Sequence, residues 1–161
     1  MSEKIVRLFM KYRKSQTGWI TIFFFAPFLV FLFLSWVFQW GNNPVPFWMF
    51  LILEMLFIVI AALFYRMTVE VYDGFVVIRY GIGTIRMRFN IDSIQNTETV
   101  KNPWYYGLGI RITPKGMLYN IHGPKAVRVE YTLSGKKKTI MIGSAEPEKL
   151  QSALLEAFPS T

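Results

Sequence analysis

The feature that most constrains this chain is a long apolar block near its N-terminus. Between residues 19 and 65 the only formally charged side chain is Glu54. The block holds two runs, 19–40 and 46–65, and a helix rising about 1.5 Å per residue crosses a hydrocarbon core of about 30 Å in about 20 residues. The sequence therefore predicts a transmembrane helical hairpin over residues 17–66.

Turn residues and aromatic side chains support this hairpin. Gly41, Asn42, Asn43 and Pro44 separate the two runs and favour a tight turn. Tryptophan and tyrosine are enriched at the two faces of a bilayer. The residues that we expect to anchor the helices at these interfaces are Trp19, Trp36, Trp40, Trp48 and Tyr65.

The distribution of basic residues predicts the orientation. The turn between the runs carries no Lys or Arg, whereas Arg66 follows the second run and a basic cluster precedes the first. That cluster comprises Lys4, Arg7, Lys11, Arg13 and Lys14. Since cytoplasmic segments carry the excess of basic residues, we expect a multi-pass protein of the cell membrane with both termini in the cytoplasm.

The first 16 residues read as a separate basic, amphipathic segment. Ile5, Leu8, Phe9 and Tyr12 recur at helical spacing, which predicts an interfacial helix. Its other side would bring a set of cations to anionic headgroups: Lys4, Arg7, Lys11 and Lys14. A disordered topogenic tail is the alternative.

Glu54 lies near the middle of the second run, where an ionised carboxylate is costly. Neither run contains a basic residue that would neutralise it. Three explanations stay open: a tolerated carboxyl, an interaction with another membrane subunit, or a proton or ion relay.

From residue 67 the pattern changes to the alternation that is typical of β-strands. Turn pairs such as Asp73-Gly74 and Ser134-Gly135 divide this region into short strands. We expect one cytoplasmic domain over residues 67–161, with about seven antiparallel strands. A C-terminal amphipathic helix follows, with one apolar face made by Leu150, Ala153, Leu154 and Ala157.

Particular residues of this region resemble a known family. They are Asn102-Pro-Trp-Tyr-Tyr-Gly-Leu-Gly-Ile-Arg111, Tyr119-Asn120, Gly123, Ala126-Val127, Ile142-Gly143-Ser144, Pro147-Glu148 and Leu150. They resemble the C-terminal half of bacterial pleckstrin-homology (PH-like) domain proteins that carry two N-terminal membrane helices. The resemblance implies a mainly-β PH-like barrel of about seven antiparallel strands closed by one C-terminal helix, and a capacity to form homo-oligomers.

Two sets of residues are candidates for binding a protein partner or lipid. The aromatic set is Trp104, Tyr105 and Tyr106, which could equally close one end of the barrel. The basic set is Lys136, Lys137 and Lys138, which could contact phospholipid headgroups or form a solvent-exposed hairpin tip. The resemblance also has a departure: eukaryotic pleckstrin-homology domains that hold phosphoinositides place basic residues on the first hairpin, whereas the first turn here is the short, acidic Asp73-Gly74. This departure argues against recognition of a specific phosphoinositide.

Composition and motifs argue against an enzyme. The chain has no cysteine and a single histidine, His122, beside a turn glycine. No nucleophile-elbow, dinucleotide-binding or metal-ligand motif is present in the sequence. We therefore expect no catalytic residue, no metal, no cofactor and, despite the formal charge of +8, no nucleic-acid partner.

The sequence leaves two functions open. The first is a membrane-anchored, non-catalytic binding or scaffolding module that associates with itself, with proteins or with anionic lipid at the cytoplasmic face. The second is an accessory subunit of a larger integral membrane complex, such as a transporter or an energy-converting assembly, held through its transmembrane helices.

Overall fold

The computed structural model describes residues 10–103, 109–121 and 123–158. Its helices are α1 (Trp19–Val37), α2 (Phe47–Phe64) and α3 (Pro147–Ala157). Its strands are β1 (Met10–Thr17), β2 (Arg66–Tyr72), β3 (Phe75–Tyr80), β4 (Ile85–Asn90), β5 (Ser93–Lys101), β6 (Gly109–Thr113), β7 (Gly116–Asn120), β8 (Lys125–Leu133) and β9 (Lys136–Gly143).

The two long helices form the predicted apolar pair. With 19 and 18 residues, α1 and α2 are long and apolar enough to cross a membrane. They pack through aromatic rings: Phe57 lies 4.6 Å from Phe28, and Trp36 stacks on Phe50 at 4.9 Å. Most other large side chains of both helices are exposed, as expected of surfaces that meet lipid rather than water.

The segment before α1 differs from the prediction. Residues 10–17 form strand β1, so the interfacial helix predicted through Tyr12 is wrong for this part, and residues 1–9 lie outside the described residues. β1 pairs antiparallel with β2, with Thr17 opposite Arg66 at one end and Met10 opposite Tyr72 at the other. The helical pair is thus inserted between two neighbouring strands, and pairing with β2 overrides the local helical pattern.

Side chains of β1 fasten it to the C-terminal part of the chain. The Gln16 amide donates to the Gly143 carbonyl at 2.9 Å and accepts from the Ala145 N–H at 2.8 Å. Lys14 pairs with Glu146 at 2.9 Å. This hydrogen bond lowers the pKa of the Glu146 carboxyl and raises the pKa of the Lys14 ammonium. Residues 10–17 therefore belong to the β-domain.

The described strands form two sheets. The first has the order β1-β2-β3-β4, and the second has the order β5-β8-β9-β7-β6. Neighbours are antiparallel except β7 and β9, which are parallel. Apolar side chains of both inner faces build one core that includes Met67, Ile78, Tyr80, Ile121 and Ile142.

The strands and the C-terminal helix confirm the prediction in part. Nine strands are present in the described residues, rather than about seven, and one pair is parallel. These strands stay in two sheets and do not close into a barrel. α3 contacts β1, β2, β5 and β8, so it covers the seam between the β1 and β5 edges. No hydrogen-bonded pairing joins the described β4 and β6 edges, which leaves the opposite seam open.

The sheets have a helix-proximal end and a far end. At the helix-proximal end, the Gly18 N–H donates to the Tyr65 carbonyl at 2.7 Å, where β1 and β2 meet the long helices. Gly81, in the β3–β4 turn, lies against the last turn of α2, since a Cβ there would come 2.5 Å from the Ala62 carbonyl oxygen. The far end holds the Asp73-Gly74 turn and the β8–β9 turn at Ser134-Gly135.

Candidate functional site

Three arginines converge on the outer face of the first sheet near its helix-proximal end. Side chains alternate between the two faces of a strand, and residues opposite one another in neighbouring strands share a face. Arg13 lies opposite Glu70, and Arg79 lies opposite Thr68. Arg66 is two residues before Thr68 on β2, so it shares this face. We call Arg13, Arg66 and Arg79 the arginine cluster.

Glu70 organises the cluster. Its side chain is only 3% exposed and pairs with Arg13 at 3.4 Å and Arg79 at 2.9 Å. The Tyr72 hydroxyl donates to the same carboxylate at 3.1 Å. Burial, followed by the negative charge of Glu70, raises the pKa of Tyr72, so this phenol stays protonated as a donor.

The cluster keeps an excess of positive charge and unused donors. Three guanidinium groups against one carboxylate leave a net charge of +2 for these four side chains. The Arg79 Nε is shielded from solvent and has no hydrogen-bond partner in the structure. Arg66 donates to the Ser15 hydroxyl from its Nε. The Arg13 and Arg79 side chains are 56% and 35% exposed, so their accessible N–H groups, rather than the shielded Arg79 Nε, can meet an anion.

The cluster lines a small cleft beside the end of α2. The cleft has a volume of about 170 Å³, and its lining includes Tyr65, Gly81 and Ile82 as well as the arginines. Ile82 is 82% exposed although it is a large apolar side chain. It sits in the turn that contacts the last residues of α2, where a membrane interface would meet it. An apolar tip beside a cationic cleft suits the boundary between acyl chains and headgroups.

Chemically, this arrangement fits a phosphate group. A guanidinium binds phosphate oxygens through two parallel N–H groups, and its charge does not depend on pH in the physiological range. In the described residues, no group of three or more His, Asp or Glu side chains is placed to hold a metal ion. The permanent charge of its guanidinium groups suits the cluster to electrostatic binding.

The other predicted binding residues lie elsewhere or outside the described residues. Trp104, Tyr105 and Tyr106 fall in the gap at 104–108, and His122 is also outside. Lys136, Lys137 and Lys138 begin β9 at the far end. Gly143, at the helix-proximal end, lies seven positions after Lys136, which is roughly 23 Å of strand. The structure does not bring this set together with the arginine cluster.

The predicted aromatic anchors have different surroundings in the structure. Trp19, Trp40 and Trp48 are exposed on or beside the long helices, whereas Trp36 packs against Phe50. Tyr65 lines the arginine cleft.

Of the predicted basic anchors, Lys11 pairs with Glu156 of α3 at 3.1 Å. Lys4 and Arg7 lie outside the described residues.

Glu54 lies on the face of α2 that packs against α1. It is one turn from both Phe50 and Phe57, whose rings contact α1. Its Oε2 is shielded and has no hydrogen-bond partner in the structure. A shielded carboxyl oxygen in an apolar helix pair is a second candidate site, distinct from the arginine cluster.

Comparison with protein-family models, with curated proteins and with solved structures finds no match to this chain. The resemblance to bacterial PH-like proteins stays a prediction.

The arginine cluster was not predicted as a site. From the sequence, Arg79, Arg86 and Arg88 could form a basic sheet face, although alternation already explains Arg86 and Arg88 as solvent-facing positions. The sequence assigns Arg13 and Arg66 only to membrane topology. Arg13 and Arg66 are 53 positions apart in sequence, and only the pairing of β1 with β2 brings them together. The signal that could have found them is the alternation of β2, which places Arg66, Thr68 and Glu70 on one face.

Proposed function

We propose that this protein is a membrane-anchored, non-catalytic binding module whose arginine cluster holds anionic lipid headgroups at the cytoplasmic face. The long helices would tether the sheet domain, and Arg13, Arg66 and Arg79 would bind phosphate groups of the adjacent leaflet. The domain so held would be available for association with itself or with protein partners in the membrane plane. Both termini are cytoplasmic in this proposal.

The observation that carries the proposal is the position of the cluster. A net charge of +2 lies in a cleft whose wall includes Tyr65, the residue between α2 and β2. A basic residue close to an anionic membrane surface contributes roughly 1 kcal/mol of attraction, and this attraction decays within a Debye length. Basic groups at the far end would be attracted to the membrane surface much less strongly.

A PH-like arrangement is part of the proposal. Two packed sheets with a C-terminal helix over one seam support it, and the open β4–β6 seam is the departure from a closed barrel. Unpaired strand edges at this seam offer a route to self-association by strand addition. The expected homo-oligomer rests on this feature and on the resemblance.

The test is retention of anionic lipid by full-length protein. Protein would be reconstituted in bilayers of three parts phosphatidylcholine to one part phosphatidylglycerol, extracted gently, and examined by native mass spectrometry. R66Q/R79Q should reduce the retained phosphatidylglycerol at least severalfold, because it removes two of the three guanidinium groups. Retained phosphatidylcholine should change little.

A charge-matched control is available at the far end. K136Q/K137Q also removes two positive charges and should leave lipid retention close to that of the unaltered protein. If K136Q/K137Q loses the anionic lipid and R66Q/R79Q keeps it, the proposal fails and the far-end lysines are the lipid site.

The second candidate is an accessory subunit of a larger membrane complex, and Glu54 is the observation that favours it. Its Oε2 has no hydrogen-bond partner in the structure, and an unpaired carboxyl in hydrocarbon is costly. A donor from another membrane subunit would satisfy it. The arginine cluster would then be auxiliary to binding within the membrane.

The experiment for this candidate is co-purification of full-length protein from its native membrane. E54Q keeps the shape but removes the acid, and E54L removes all polarity at the site. E54L should abolish stoichiometric recovery of a foreign membrane subunit, whereas E54Q keeps an acceptor oxygen and should retain part of it. Retention of the same subunit by E54L would contradict the accessory role.

A further inference from the structure

A large cleft lies at the far end of the sheets, in the open seam between β4 and β6. Its volume is about 570 Å³, which is in the range of small-molecule sites. Thr113, Gly116 and Asn90 mark its position at the ends of strands remote from the long helices. The arginine cluster is therefore not part of it.

The floor of the cleft is apolar and aromatic. Its lining includes Phe89, Met117, Tyr119, Tyr131, Leu133 and Ile140. The rings of Phe89 and Tyr119 lie 5.2 Å apart, and Phe89 and Met117 are only partly buried. Ile112, on the β6 wall, is 87% exposed. A closed sheet would cover these side chains, so the open seam leaves an apolar surface without a partner in the described residues.

One cation is directed to the mouth of this cleft. Lys138 lies opposite Tyr131 in the β8–β9 pair and, by alternation, shares its face with the core residue Ile140. Lys138 also lines the cleft and forms no ion pair with any described residue. Its neighbour Lys137 points to the other face of the sheet.

The other basic side chain at the cleft is engaged elsewhere. The Arg88 Nε donates to the Asn90 side-chain oxygen at 3.0 Å, and its guanidinium carbon lies 3.8 Å above the Phe75 ring. Burial raises the pKa of both Tyr119 and Tyr131, so their hydroxyls stay neutral at physiological pH. The cleft thus offers one ammonium group and neutral polar groups above an apolar floor.

We propose that this cleft binds an amphipathic anion, with an apolar chain on the aromatic floor and a carboxylate or phosphate at Lys138. The apolar lining stabilises the chain by removing it from water, and the ammonium selects the sign of the head. The ligand enters from solution as a monomer, because the cleft opens at the end remote from the long helices.

The test uses full-length protein in phosphatidylcholine nanodiscs, with its eight methionines carrying ¹³C-labelled methyl groups. Decanoate is titrated, its free concentration being fixed by parallel measurements with empty nanodiscs. The methyl resonance of Met117, assigned from M117L, should shift in a saturable manner. Octanoate should bind about tenfold more weakly than decanoate, because it buries two fewer methylenes.

Matched substitutions at adjacent positions test the role of charge. K138Q should weaken decanoate binding about tenfold, since it removes a charge-assisted contact, whereas K137Q should stay within twofold of the unaltered protein. Decylammonium should not produce the saturable shift. The proposal is overturned if Met117 does not respond to decanoate, if K138Q binds it unchanged, or if decylammonium binds equally well.

Discussion

At the scale of single residues, Glu70 has two opposing effects on the arginine cluster. It stabilises the positions of Arg13 and Arg79 through ion pairs, but it also cancels one of the three positive charges. Both arginines are partly exposed, at 56% and 35% of their side chains, so water screens part of this attraction. Removing the negative charge of Glu70 should therefore lower the stability of the protein and strengthen its binding of anions.

We expect E70Q to destabilise the protein while strengthening its hold on anionic lipid. Loss of charged hydrogen bonds at a buried position should lower the free energy of unfolding by roughly 1–3 kcal/mol. The net charge of the four clustered side chains rises from +2 to +3, so more phosphatidylglycerol should be retained. Thermal unfolding in nanodiscs and native mass spectrometry measure the two effects.

E98Q is the matched control for this change. Glu98 pairs with Arg128 on the second sheet and is 40% exposed, so its loss removes an ion pair away from the cluster. It should lower stability only slightly and leave lipid retention unchanged. If E70Q lost both stability and lipid retention, Glu70 would not weaken anion binding as proposed.

Single residues also show how far the sequence could predict the site. Alternation along one strand predicted the outward positions of Arg86 and Arg88, because that pattern is local. The grouping of Arg13 with Arg79 depends on the strand order β1-β2-β3, which no local pattern specifies. Lys138 was singled out for its charge, but its direction into a cleft required the register of β8 and β9.

At the scale of elements, β1 shows why local periodicity can fail. Tyr12, Lys14 and Gln16 face inward, and two of these three are polar, so the strand lacks the apolar alternation by which strands are recognised. Its inward polar groups are satisfied by Glu146 and by backbone groups near the start of α3. Tertiary partners thus determine the conformation of this segment.

Contact between the β3–β4 turn and α2 provides a test of how the two parts are joined. Gly81 has a φ of +60°, and an added Cβ would meet the Ala62 carbonyl oxygen at 2.5 Å. G81A should therefore combine a backbone cost of about 1–2 kcal/mol with a steric clash against the last turn of α2. We expect a clear fall in the thermal unfolding midpoint of the full-length protein.

A substitution at Gly83 in the same turn separates the backbone cost of G81A from its steric clash. Its φ is +99°, but an added Cβ would meet nothing within 4 Å. A φ of +99° lies beyond the left-handed region of about +50 to +70°, so G83A should carry at least the backbone cost of G81A but no clash. A lower midpoint for G81A than for G83A would therefore come from the contact with α2. Equal unfolding midpoints for the two variants would contradict a steric contact between the β3–β4 turn and α2.

At the scale of the whole molecule, the helical pair is an insertion between adjacent strands. The sequence predicted two long helices, a β-rich region and a C-terminal helix, because each has a strong local pattern: a long apolar run, alternation, and an amphipathic helical period. It did not predict that β1 belongs to the sheet, or that the seam between β4 and β6 is open, since both depend on long-range pairing. The sheet domain is joined to the helices at two points: β1 leads into α1 through Gly18, and α2 leads into β2 through Tyr65.

This arrangement makes orientation testable by single-cysteine labelling, because the chain has no native cysteine. Residues 38–46 contain no Lys or Arg, whereas β1 and β2 carry several basic residues next to the helices. The asymmetry predicts that N43C reacts with a membrane-impermeant maleimide in intact cells, while K137C reacts only after the membrane is opened. If K137C is labelled in intact cells and N43C is not, the arginine cluster faces the opposite leaflet. If both are labelled in intact cells, or both are protected, the helical pair does not separate the turn from the sheets, and a tether on one side of the bilayer is excluded.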